Sequence, residues 1–539
     1  LSATASVAMA EVRGCCVVSL SGPQPAGDSW SCSGVVLSRE PGLVLCQGAV
    51  FAPFLRDGPD AWAQPRALLP EVLQPCLSIS VLQPPALGLD ASGLRQHEAQ
   101  LLALVPCSAF QQALAQAFSQ AEQWRFGGKE AENDRQALHW FAWLRVPGLD
   151  SPKGGWMAWA NASSLRKGEV LLVCGSPFGA LCPNLFLNTL SKGVVSNLAG
   201  QENALILTDA CCLPGTEGGG AFLPSPDGPC LVAIIVASFG WKGAEWVELA
   251  LLCSLSAILH SSASVLDEAG VTMPLVPGRL AAVQAGGRQD PLGWAALVEC
   301  GAAWGSGVLL APRLLLTCRH VVEAGGPLHV TPAPGPGRAA TVLEGRVVFA
   351  TKESSPFDVA VVELEESVPG FIPPCLADTF LPGKWPRGYA GCWGSHPLAS
   401  TSCLPTPGEE VTVVSFGALG RACGPSVTAG VLSSVVAVAG QPVMLQTTCA
   451  VHGGSSGGPL ISSRSGCLLG IVASNTRDTS TGATYPHLNF CIPITVLQPP
   501  IAQYHRTGDP DAFAALNQAG EGVRAAWQLQ QQLGPPSKL

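Results

Sequence analysis

Ser456 stands in the run Gly453-Gly454-Ser455-Ser456-Gly457-Gly458-Pro459-Leu460, the form of a loop that presents a serine beside inward-turned main-chain N–H groups. A hydroxyl is a weak nucleophile until a base takes its proton, and the oxyanion formed on attack needs donors already in place. Glycines around the serine let the backbone turn without a Cβ clash. The flanks read as strands, Met444-Leu445-Gln446-Thr447-Thr448 leading in and Cys467-Leu468-Leu469-Gly470-Ile471-Val472-Ala473 leading out, which argues against a flexible linker. A base is offered upstream by Leu314-Leu315-Leu316-Thr317-Cys318-Arg319-His320, an apolar strand ending in a polar turn. An imidazole delivered to a barrel rim in this way can titrate near neutral pH and carry a proton. Asp358 opens the strand Val359-Ala360-Val361-Val362-Glu363-Leu364 and can hold the histidine tautomer and stabilise the imidazolium. Ser456 is thus the candidate nucleophile, His320 the base and Asp358 its orienting carboxylate.

The elements that must position these three are short strands separated by Gly/Pro turns, with each candidate at a strand edge. The chain order is His, Asp, Ser, at spacings of 38 and 98 residues. That order fits the chymotrypsin-type double β-barrel. Gly454-Ser455-Ser456-Gly457-Gly458 also matches the G-x-S-x-G elbow of α/β-hydrolases, but there the acid and the histidine follow the serine and a helix follows the elbow. Downstream of Ser456 there are only His487 and His505, and a strand follows.

Together with Gly305-Ser306-Gly307-Val308-Leu309, Val427-Thr428-Ala429-Gly430-Val431-Leu432-Ser433 and Asn489-Phe490-Cys491-Ile492-Pro493, these motifs resemble a trypsin-like serine protease domain of the HtrA/Deg branch over residues 291–498. The resemblance implies His320 as general base, Asp358 as its orienter, Ser456 as nucleophile, and the N–H groups of Gly454 and Ser456 as the oxyanion hole. Two departures are visible. Ser455 replaces the aspartate that pairs with a new amino terminus in digestive trypsins, so activation by that ion pair is not expected. Ala450, six residues before the nucleophile, stands where trypsin has its pocket aspartate, which points to a small or apolar residue before the cut. Only 41 residues follow position 498, too few for the PDZ domains common in that branch.

The first half of the chain repeats the second. Ser33-Gly34-Val35-Val36-Leu37 answers Ser306-Gly307-Val308-Leu309-Leu310, Lys192-Gly193-Val194-Val195-Ser196 answers Ala429-Gly430-Val431-Leu432-Ser433, and Ile235-Val236-Ala237-Ser238 answers Ile471-Val472-Ala473-Ser474. A period this long implies duplicated domains. Carried across, the candidate triad falls on Gly48, Trp140 and Glu217, none of which does the required chemistry. His139 beside Trp140 has no serine partner and reads as a surface or packing residue. The expected fold class is all-β: two trypsin-like double β-barrel domains in tandem, the first with a helical insertion, then a short C-terminal helical tail. Residues 1–270 form a catalytically inactive domain, 271–290 a Gly/Pro-rich linker, 291–498 an active domain and 499–539 the tail. Residues 94–124, rich in Leu, Ala, Gln and Glu, read as the inserted helix or helices.

Composition agrees. The 539 residues are 47% hydrophobic and 12% charged, enough for two sizeable cores. No apolar run approaches the ~18 residues of a membrane span. A net charge of −9, without a basic patch interleaved with aromatics, argues against nucleic acid as a partner. The 21 cysteines lack any C-x-x-C pair and fall mostly in apolar strands, so they read as small buried hydrophobes, with no structural metal and no cofactor.

The sequence ends Ser537-Lys538-Leu539, the tripeptide read by the peroxisomal import receptor at a free carboxyl end. With the address, the inactive first copy and the active second copy combined, the whole chain resembles the peroxisomal leader-peptide-processing proteases. That resemblance implies a matrix enzyme that cuts imported matrix proteins, including removal of amino-terminal targeting leaders, and that processes itself. A homo-oligomer is compatible with it. The alternative from another class is a peroxisomal binding or quality-control module that holds substrates with weak or no proteolysis.

Overall fold

The computed structural model describes residues 14–22, 30–84, 94–119, 124–126, 134–149, 155–226, 228–238, 240–242, 245–272, 291–323, 325–334, 340–377, 405–417, 419–477 and 484–528. The chain divides into two compact units, Leu1–Gln284 and Ala285–Leu539. The expected linker lies outside the described residues from position 273 onward.

In the first unit, β1 (Cys15–Ser21), β2 (Trp30–Ser38), β3 (Leu43–Gln47), β4 (Ser78–Gln83), β5 (Arg95–Pro106) and β7 (Trp140–Arg145) close into a six-stranded barrel, with short β6 (Trp124–Phe126) outside it. A second barrel closes from β8 (Val170–Gly175), β9 (Thr189–Ala199), β10 (Leu205–Thr208), β11 (Gly220–Leu223), β12 (Cys230–Ala237) and β15 (Ala250–Ser254); β13 (Gly240–Lys242) lies between β14 (Glu245–Val247) and β6 in a separate three-stranded sheet. In the second unit the barrels are β16 (Ala295–Cys300), β17 (Ala303–Ala311), β18 (Leu314–Thr317), β19 (Leu328–Pro332), β20 (Leu343–Ala350), β21 (Ala360–Leu364), and β22 (Glu410–Ser415), β23 (Ser426–Val438), β24 (Gln441–Thr447), β25 (Pro459–Ser462), β26 (Leu468–Arg477), β27 (Thr484–Pro493). All four barrels close in the same strand order, 1-2-3-6-5-4. The fold is therefore the tandem double barrel that the sequence implies.

Closure removes the unpaired edges that an open sheet would expose. Inward-facing residues fill each barrel: Val18, Val44, Trp140 and Leu144 in the first, and Leu309, Leu315, Val330 and Val362 in the first barrel of the second unit. Full burial of each such aliphatic side chain contributes about 1.5–3 kcal/mol. The insertion expected as helix over 94–124 divides differently. Arg95–Pro106 is a strand paired on both sides, with β4 and β7, and only Ser108–Ala117 is helical. Its Leu, Ala, Gln and Glu favour helix locally, but the barrel needs its fifth strand and that pairing overrides propensity. At the far end, Ile494–Thr507 is a helix with Pro499 and Pro500 inside it, followed by a 3-10 turn at Pro510–Asn517 and a helix at Glu521–Gln528.

Candidate active site

β18 and β21 run antiparallel with Thr317 opposite Ala360. The chain leaves β18 for a helical turn, Arg319–Val322, that carries His320, and enters β21 from Asp358. Both side chains therefore emerge at one barrel edge. The Asp358 carboxylate is shared between two donors of the same residue: Oδ2 contacts the His320 ring Nδ1, and Oδ1 accepts the His320 backbone N–H at 3.2 Å. Arg319 Nε lies 3.9 Å from Oδ1. Burial pushes the Asp358 carboxyl upward, but the hydrogen bond and charge of His320, its backbone N–H and Arg319 outweigh that and hold the group below its ordinary value. With Nδ1 engaged by the carboxylate, Nε2 is the nitrogen left for proton transfer.

The Cys318 sulfur and the ligand atoms of His320 and Asp358 lie within 4.8 Å of one another. Cys318 Sγ donates to the Val472 carbonyl at 3.2 Å, and burial, followed by the Asp358 charge, raises its pKa well above the ordinary value.

Ser456 lies half-buried in the loop between β24 and β25. Gly454 has φ +92° and Gly457 φ +87°, and a Cβ at either would overlap the Trp304 ring or the Ser306 carbonyl respectively. The neighbouring amides are satisfied: Ser455 N–H within the loop by the His452 carbonyl at 2.9 Å, and Gly457 N–H by the Val472 carbonyl of β26 at 2.7 Å. The N–H groups of Gly454 and Ser456 have no acceptor among the described residues. Two unsatisfied, preoriented amides beside a serine hydroxyl are what a developing oxyanion requires.

Ser306, on β17 of the neighbouring barrel, ties this loop down. Its N–H donates to the Ser456 carbonyl at 2.9 Å, its Oγ donates to the Gly454 carbonyl at 2.7 Å, and the same Oγ accepts the Phe416 N–H at 2.8 Å. Ser306 is fully buried. Sequence reading placed it in a supporting motif without giving it a role; the signal was its repetition as Ser33 in the first half. Ala450 is buried, its carbonyl accepting Thr428 Oγ1 at 2.9 Å. Ser537, Lys538 and Leu539 lie outside the described residues.

A family model described as a trypsin-like peptidase domain matches residues 305–471. Over 99% of each chain, the sequence is 45% identical to a mouse (Mus musculus) protein named peroxisomal leader peptide-processing protease. The chain belongs to the peroxisomal leader peptide-processing protease family. A human (Homo sapiens) protein of the same name is 44% identical over 98% of each chain. A crystal structure of a serine endoprotease from Yersinia pestis is 18% identical and covers 40% of this chain and 64% of that one at a TM-score of 0.29. This processing protease is accordingly a serine endopeptidase.

The first unit of the protease repeats the loop and strand arrangement around Ser456, but not the residue types of His320, Asp358 and Ser456. Ser33 repeats the whole arrangement of Ser306: its N–H donates to the Glu217 carbonyl at 2.9 Å, its Oγ donates to the Gly215 carbonyl at 2.7 Å and accepts the Ser176 N–H at 2.8 Å. Glu217 therefore occupies the position of Ser456. β7 begins at Trp140 with Ala142 opposite Cys46, as Ala360 is opposite Thr317, so Trp140 answers Asp358. It is fully buried against Trp62, with ring centroids 5.2 Å apart. The expected counterpart of His320, Gly48, is displaced by one residue. β2 and β3 pair Gly34 with Cys46 just as β17 and β18 pair Gly307 with Thr317, which makes Cys46 answer Thr317 and Ala49 answer His320. Strand register thus puts Ala49 rather than Gly48 at this position, and alanine supplies no base either. His139 is buried against Trp140, and burial lowers its pKa to about 4. It packs as a neutral ring.

Proposed function

We propose that Ser456 attacks the scissile carbonyl while His320 Nε2 takes its proton, that Asp358 holds the imidazole tautomer and stabilises the imidazolium, and that the N–H groups of Gly454 and Ser456 receive the oxyanion. The imidazolium then returns the proton to the leaving amine, and water repeats the sequence to release the acyl group. The observation that carries this reading is the Asp358 carboxylate held by two His320 donors together with two unsatisfied amides at Gly454 and Ser456. Residues 291–498 are the active domain in this reading, and 1–270 an inactive copy. Ala450 would admit a small or apolar side chain before the cut.

The protease acts in the peroxisome, in keeping with the names of the mouse and human relatives, and processes the leader peptides of proteins delivered there. Its own delivery is assigned to the import receptor through Ser537-Lys538-Leu539. The test is labelling of the purified chain by a fluorophosphonate probe with and without Ser456→Ala, followed by mapping of new amino termini in peroxisomal proteins exposed to it. Labelling that survives Ser456→Ala would overturn the assignment of the nucleophile; labelling without new amino termini would overturn the processing role.

A further inference from the structure

Between β21 and β22 the chain crosses from one barrel of the second unit to the other, and the start of that crossing is tied to both. The Ile372 carbonyl accepts Nε1 of Trp294, the residue that leads into β16, at 3.1 Å. Three residues further on the segment becomes a parallel partner of β26: the Cys375 carbonyl accepts the Leu468 N–H at 2.7 Å, and the Leu468 carbonyl accepts the Ala377 N–H at 3.0 Å. This bridge pairs Leu376 with Leu468, and a parallel register then sets Cys375 beside Cys467. Neighbouring strands lie about 4.8 Å apart, inside the range of about 4.4–6.8 Å that the Cα atoms of a disulfide span. The side chains meet, with Cys467 Sγ donating to Cys375 Sγ at 2.8 Å.

The two sulfurs differ in access. Cys375 is exposed, whereas Cys467 is 3% exposed. An oxidant from solvent therefore meets Cys375 first, with the second thiol already in contact behind it. A thiolate attacked by peroxide becomes a sulfenic acid, and an adjacent thiol converts that to a disulfide. Cys107 and Cys253 of the first unit are the contrasting pair, with sulfurs 3.9 Å apart but both residues buried. Proximity is common to the two pairs; exposure belongs to one.

We propose that Cys375 and Cys467 form a reversible redox site, at which a hydroperoxide oxidises the two thiols to a disulfide. The Cys375 thiolate attacks one peroxide oxygen and the O–O bond breaks. The leaving oxygen departs as an alcohol, or as water from hydrogen peroxide, with the proton that Cys375 gave up. Cys467 sulfur then attacks the sulfenic sulfur: the S–S bond forms, the S–O bond breaks, and the hydroxide leaves as water with the Cys467 proton. In sum two thiols lose two electrons and two protons, and the peroxide takes up both. A dithiol reductant reverses the change by exchange. The bond joins residues 92 positions apart and fastens the crossing to β26, the strand whose Val472 carbonyl holds the Gly457 N–H. A cross-link closing so long a loop stabilises the fold by constraining the unfolded chain. Nothing in this chemistry involves His320, Asp358 or Ser456.

To test it, the reduced full-length chain is exposed to a small excess of hydrogen peroxide, quenched with N-ethylmaleimide, unfolded in the same reagent and digested without reductant. Mass spectrometry should find a peptide pair joining Cys375 to Cys467 that dithiothreitol separates, while Cys107 and Cys253 are recovered alkylated. In Cys467→Ser the pair disappears and dimedone traps Cys375 as its sulfenic acid; in Cys375→Ser, Cys467 is recovered as a thiol. The oxidised parent should melt about 5 °C or more above the reduced parent, a shift absent from both variants. Cys375 recovered as a thiol, joined to another cysteine, or carried to the sulfinic acid without a cross-link would overturn the site. A cross-link that leaves the melting temperature unchanged would overturn its stabilising role.

Discussion

Glu217 reaches back two residues to the Gly215 amide, with Oε2 accepting that N–H at 2.7 Å, while the corresponding Gly454 amide beside Ser456 has no acceptor among the described residues. One substitution in the duplicated loop therefore does two things. It replaces the serine hydroxyl, and it places a carboxylate on an amide whose counterpart in the other copy has no acceptor among the described residues. The loop itself is otherwise preserved, with φ +93° at Gly215 and +85° at Gly218 against +92° at Gly454 and +87° at Gly457.

Ser456→Ala should abolish peptide hydrolysis, with a loss on the order of 10⁶ in kcat by analogy with other triad knockouts. The hydroxyl is half-buried and its removal opens no large cavity, so the thermal melting curve should be unchanged. Steady-state hydrolysis and circular dichroism of the purified variant decide both points.

Ser306→Ala should be slower without losing any group that touches substrate. The Phe416 amide would lose its acceptor and the Gly454 carbonyl its donor, at a cost of about 1–3 kcal/mol for each buried group left unpaired. Loosening of the Gly454 segment should lower kcat by about tenfold or more with little change in KM. An unchanged kcat with only a lower melting temperature would show that the tie is structural alone.

Asp358→Asn should reduce kcat about 10⁴-fold by releasing the imidazole into the wrong tautomer. The same variant has a stability signature. Asp358 has its folded pKa below the unfolded value of about 3.9, so its stabilising contribution is fully present above that pH and is lost as pH falls through the folded pKa. The difference in urea midpoint between the parent and the variant should hold steady from about pH 5 to 7 and shrink below about pH 4. A difference that grows on acidification would contradict the assignment.

Restoring a hydroxyl to the first unit should achieve nothing. In Glu217→Ser combined with Ser456→Ala, the Gly215 amide is freed, but Ala49 and Trp140 still provide neither base nor orienter. Hydrolysis that tracks the new serine would mean that the register across β2 and β3 is misread.

The sequence by itself determined the chemistry-bearing loop, because the glycines around Ser456 answer to local backbone geometry. It also determined the His, Asp, Ser order, the duplication and the absence of these residue types at the corresponding positions of the first copy, all of which are properties of residue type and position along the chain. Tertiary structure alone decided what depends on which strand lies beside which. Arg95–Pro106 is a strand because β4 and β7 flank it, against the helical preference of its residues. Ala49 replaces Gly48 as the counterpart of His320 because inter-strand pairing sets the correspondence. The grip of Ser306 on Gly454 spans 148 residues, and that of Ser33 on Gly215 spans 182. Bonds across such separations form only when two barrels have closed and packed, so no local pattern in the chain encodes them.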